Sequence, residues 1–152
     1  MHRDAIRKAL LYSPVTLTGR QALSVSIGFQ SQAKKCDYGI WACAILPEHT
    51  HLVIARHWYK VEQIANLMKG AATTQLIADN IHPLAKFVVP EKPTPKMWAR
   101  GLWKVYLESD EQIENAIAYV NANPVKEGKP PQTWKWITPY RGLEHGCTTY
   151  LL

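Results

Sequence analysis

The stretch that decides the fold is Ile40-Trp41-Ala42-Cys43-Ala44-Ile45-Leu46, followed after Pro47-Glu48 by His49-Thr50-His51-Leu52-Val53-Ile54-Ala55. The first run is apolar throughout, short and bounded by turn residues, which is the pattern of a strand buried on both faces. The second is β-rich. A break of two residues between them predicts an antiparallel hairpin. Upstream, Thr18-Gly19-Arg20-Gln21 reads as a capping box. Ala22, Val25, Phe29, Ala33 and Cys36 follow at helical spacing, predicting a helix over about 19–35. Residues 1–17 read as irregular.

Downstream, Ile64, Leu67, Met68, Ala71 and Leu76 mark a helix over about 60–80. Pro83, Pro90, Pro93 and Pro95 make 81–100 a loop, and Leu102–Leu107 a short strand. Ser109-Asp110-Glu111-Gln112 is a second capping box, opening a helix with the stripe Ile113, Ala116, Ile117, Val120. Pro124 is expected to end it, because the residue before a proline is pushed out of the α region. The remainder, including 129–152, reads as a loop-like tail with Trp134, Trp136 and Tyr140 folded back over the core. The expected architecture is one α+β domain over 1–152, an antiparallel sheet with helices on one face.

The 152 residues include 18 Lys+Arg and 12 Asp+Glu, a formal net charge of +6, with 47% hydrophobic residues. This is globular composition, neither disordered nor disulfide-dense. No apolar run approaches the ~20 residues that span a bilayer, so no membrane partner is expected. Three cysteines (Cys36, Cys43, Cys147) without a C-x-x-C pair argue against a disulfide framework and for a reducing cytoplasm. Lys86, Lys92, Lys96, Arg100 and Lys104 are interleaved with Trp98 and Trp103, a composition that can follow a phosphate backbone and stack bases. For each tryptophan alone, a place in the core is the simpler expectation.

The chemistry is carried by His49 and His51. Side chains at i and i+2 of a strand leave the same face, so two imidazoles can converge on one divalent cation. His57 is too far along the strand to join them, and His2, His82 and His145 are read as non-ligands. A third group must come from elsewhere. Tyr119 and Asn123 are one helical turn apart on the flank of the Ile113/Ile117/Val120 stripe, offering a phenol and an amide oxygen. For each there is a plainer role: helix C-cap for Asn123 before Pro124, and packing for Tyr119. Imidazole, amide and water ligands suit Mg²⁺ or Mn²⁺ in an open site, and such a cation prepares a phosphodiester for attack by a phenol. An unrelated metal-dependent hydrolase would need a further carboxylate, and none stands convincingly beside either motif.

Leu46-Pro47-Glu48-His49-Thr50-His51-Leu52 resembles the His-hydrophobe-His strand of HUH endonucleases, most closely single-tyrosine insertion-sequence and REP-associated tyrosine transposases. Tyr119-Val120-Asn121-Ala122-Asn123-Pro124-Val125-Lys126-Glu127-Gly128 is similar to their nucleophile helix end, and Trp98–Lys104 to their "W-x-R-G-F-W" segment. The similarity covers roughly 18–128, with the blocks in the family's order. It implies a ferredoxin-like sandwich and a transposase that nicks and transfers single-stranded or hairpin DNA through a 5′-phosphotyrosine, as a homodimer. By position, Tyr119 takes the nucleophile role and His49, His51 and Asn123 the Mg²⁺ or Mn²⁺ ligand roles; Arg100 and Lys104 suit DNA contacts by charge and placement. A silent hairpin-binding domain derived from such a transposase is the alternative. Thr50 departs from the family's bulky hydrophobe, and the family's first strand has no convincing counterpart in 1–17: either Tyr12–Leu17 supplies a short substitute, a partner chain does, or the chain is a shortened or decayed relative.

Overall fold

A computed structural model describes residues 15–98, 103–142 and 147–151, the last five as backbone. Helix α1 (Gly19–Cys36) begins at the expected capping box: Thr18 Oγ1 accepts from Gln21 N at 3.1 Å, and Gln21 Oε1 accepts from Thr18 N at 2.9 Å. Strands β1 (Ile40–Ile45) and β2 (Thr50–Ile54) form the expected hairpin, pairing Ile45 with Thr50 and Ala44 with His51. A bulge between Ile40 and Ala42 turns both Trp41 and Ala42 to one side of the sheet. Helix α2 (Val61–Ala78) precedes a loop containing one 3₁₀ turn, Ala85–Phe87; then come β3 (Trp103–Leu107) and α3 (Asp110–Lys126). The box at the start of α3 is a variant. Ser109 Oγ accepts from Gln112 N, but Gln112 Oε1 reaches one residue further back, to Glu108 N at 2.8 Å.

Two sequence expectations are corrected. The helices cover both faces of the sheet rather than one. α1 and α2 pack on the face bearing Cys43, Ile45, Leu52 and Ile54, while α3 packs on the face bearing Ala42, Ala44 and Val53. A strand as uniformly apolar as β1 requires this, since either face left bare would expose large side chains. The tail also contributes structure: β4 (Cys147–Leu151) lies between β2 and β3, antiparallel to both, giving the order β1-β2-β4-β3. Tyr12–Pro14 lie outside the described residues, and Val15–Leu17 form no strand.

Residues 129–140 fold back on the core, as the three aromatic residues suggested, and also close the free edge of β1. The Gln132 amide brackets Ile45, accepting from its N–H at 2.8 Å and donating to its carbonyl at 2.7 Å. Trp134 Nε1 donates to Cys43 O, and Thr138 N to Ile40 O. Backbone groups that would otherwise recruit another strand are thereby occupied. Among the described residues no helix is long and apolar enough to cross a membrane.

Where α1 crosses α2, a Cβ on Gly28 would lie 2.7 Å from Ala71 O and 2.7 Å from Ala72 Cα. Backbone cannot yield as a flexible side chain does. Gly28→Ala should therefore force the helices apart and cost about 1–3 kcal/mol, read as a lower urea midpoint at unchanged m-value. An unaltered midpoint would show that the crossing is looser than described.

Candidate active site

His51 lies on the α3 face of β2, in register with Ala44, and His49 sits two residues earlier at the end of the hairpin turn. Their rings are 5.0 Å apart between centroids and nearly perpendicular. Thr50, between them, is buried on the opposite side and fills its place without disturbing the strand. The small Ala42 and Ala44 leave room for α3, whose Ile113 and Val120 close the core on this face.

Pro124 does not end α3, contrary to the sequence expectation. The helix continues to Lys126 and stops in a Schellman motif: Gly128 N donates to Val125 O and Lys129 N to Pro124 O, with Gly128 at φ 73°. Pro124 is buried, so packing offsets the missing backbone hydrogen bond. Asn123 is consequently not a C-cap. It is helix interior, buried to 7% exposure, and its Nδ2 has no partner.

The longer helix puts Tyr119, Asn123 and Glu127 on successive turns. The Tyr119 ring is 5.8 Å from that of His51, with half its surface open to solvent. The Tyr119 ring and the His51 imidazole are therefore neighbours within one chain. Lys126 holds its ammonium 5.4 Å from the centre of the Tyr119 ring. Glu127 Oε2 stands 3.3 Å from His49 Nε2, so a carboxylate does neighbour the motifs. The sequence reading missed it by ending the helix three residues early; Gly128, a ready αL stop, was the available signal.

Burial, reinforced by the neighbouring His49, lowers the His51 pKa from 6.5 to about 4. The ring is thus neutral near pH 7, with a lone pair free to bind an ion. In metal-free protein the unfolded chain protonates His51 first as pH falls. The stability this residue contributes is complete above 6.5 and is lost progressively toward pH 4. With a chelator present, the urea midpoint should fall from pH 7 to pH 5, and less steeply for His51→Gln. Equal slopes in the two proteins would refute this assignment.

The donors fit a divalent cation. Asn123 leaves a buried amide position unpaired, and a flip of that amide presents oxygen instead of nitrogen. Two imidazoles with an amide oxygen are donors of the kind that would hold Mg²⁺ or Mn²⁺ in an open site. Among the described residues no group of three or more His, Cys, Asp or Glu side chains stands ready-made to hold a metal ion.

The other candidates lie elsewhere. Lys104 shares a cross-strand row with Tyr150 and Leu52, on the sheet face away from His51, and its ammonium pairs with Glu62. Arg100, His2 and His145 lie outside the described residues. Both ring nitrogens of His57 are engaged by backbone, Nε2 with Cys36 O and Nδ1 with Tyr59 N, and His82 Nδ1 accepts from Leu84 N. Trp98 is a core anchor, stacked on Phe29 and donating to Thr73. Trp103 is 71% exposed, in the cross-strand row that contains His51.

Comparison with protein-family models, with curated proteins and with solved structures found no match.

Proposed function

We propose that this chain is a metal-dependent, tyrosine-nucleophile DNA strand transferase of the HUH type, acting on single-stranded or hairpin DNA. One observation carries the reading: a half-exposed phenol on α3 lies beside two adjacent imidazoles at the start of β2 in one chain, and the next turn of α3 carries a buried amide whose Nδ2 is unpaired. The sheet order also favours it. A ferredoxin-like sheet has its first strand between the strands that correspond to β2 and β3 here, antiparallel to both, and β4 fills that slot from the other end of the sequence.

In the proposed reaction the Tyr119 oxygen attacks the scissile phosphorus. The P–O3′ bond breaks as the O–P bond to tyrosine forms; the phenol gives its proton to solvent and the leaving 3′ oxygen takes one from solvent to become a 3′-OH, with the 5′ side joined to the protein as a phosphotyrosine. His49, His51 and Asn123 would hold Mg²⁺ or Mn²⁺, which supplies Lewis-acid polarisation of the phosphate. Lys126, over the phenol ring, adds positive charge where the phosphodiester approaches. Trp103 offers an open ring face for an unpaired base.

The test is incubation with labelled single-stranded hairpins of random sequence, with Mn²⁺ or with chelator, resolved on a denaturing gel. A protein–DNA adduct that requires the cation supports the proposal. Binding without adduct under all conditions rejects it.

A further inference from the structure

We infer that Glu127 is a ligand of the same cation site, a carboxylate donor beside His49, His51 and Asn123; this rests on the cation-site reading above. Glu127 is fixed by the continuation of α3 through Pro124 and by the Schellman stop at Gly128, which together set the helix end opposite the hairpin turn. Its Oε2 faces His49 Nε2, the ring nitrogen farthest from the strand, at 3.3 Å. Two donors on one octahedral ion, each ~2.1 Å from it at a right angle, stand ~3.0 Å apart. The observed separation of this pair is close to that, and side-chain rotation would bring His51 and Asn123 to the same ion.

Charge supplies the second argument. A carboxylate one turn beyond Asn123 and two beyond Tyr119 lies where a phosphodiester must approach, and two anions there repel. Lys126 does not neutralise it, since its ammonium lies over the Tyr119 ring. A bound dication converts that repulsion into a bridge, and a carboxylate favours hard ions such as Mn²⁺ and Mg²⁺ over softer ones.

The experiment is Mn²⁺ binding to the full chain without DNA, followed by electron paramagnetic resonance, for the unaltered protein, Glu127→Gln and His51→Ala. Glu127→Gln should weaken binding by at least the ~10–100-fold that even outer partners of metal sites contribute, while unfolding in chelator stays unchanged. Carboxylate ¹³C labelling of glutamate should give an electron–nuclear coupling to bound Mn²⁺ that disappears in Glu127→Gln. Near-normal affinity in Glu127→Gln, or no such coupling in the unaltered protein, overturns the inference while leaving the histidine site standing, provided His51→Ala has lost binding. An unaltered protein that binds no Mn²⁺ overturns both.

Discussion

Tyr119→Phe is expected to abolish covalent DNA adducts, a loss of roughly four to six orders of magnitude in rate, the scale on which an enzyme deprived of its nucleophile fails. Half of the Tyr119 surface is open, and a substitution that keeps the ring at such a position changes stability by less than about 0.5 kcal/mol. Ring packing against His51 and beneath Lys126 is retained. Hairpin affinity should therefore stay within a fewfold of the unaltered protein in a fluorescence-anisotropy titration while adducts vanish. If binding and adducts fall together, the residue is structural. If adducts persist, another side chain attacks.

The second large effect concerns the last strand. Truncation after Gly146 removes β4, the only described sheet neighbour of β3 and one of two neighbours of β2. The lost ladder alone is worth several kcal/mol at ~1 kcal/mol per hydrogen bond, comparable with the ~5–15 kcal/mol net stability of a domain. The truncated chain should show no cooperative thermal transition and should bind a hydrophobic dye. A transition at the original temperature would contradict a central role for β4.

The sequence conveys different parts of this molecule unequally, for physical reasons. The β1–β2 hairpin and the helices announce themselves through periodicity and caps, which are local properties of Thr18–Gln21, Ser109–Gln112 and the stripes that follow. β4 does not. Cys-Thr-Thr-Tyr-Leu is β-prone, but five residues become a strand only when β2 and β3 leave a slot between them, a non-local circumstance. Pro124 misled in the opposite direction. Its local rule predicts a helix end, yet its burial and the stop at Gly128 carry the helix one turn further. That turn hid Glu127. The helices on both faces were implicit in β1, whose uninterrupted apolar run needs cover on each side.

That the His49 and His51 rings stand together, and that Tyr119 and Asn123 lie on successive turns of one helix, was legible because strand and helix periodicities fix which side chains share a face. Lys104 was chosen by charge and by its placement along the chain, and neither says which side of a sheet a residue occupies; its cross-strand row lies away from His51.

The most direct measurement is mass-spectrometric mapping of the linkage formed when the unaltered protein meets a reactive hairpin and Mn²⁺. A nucleotide joined through a 5′ phosphodiester to Tyr119, with an equal yield of DNA ending in 3′-OH, is the predicted result. Nicked DNA with no protein attached, or a linkage at any other residue, would contradict the account.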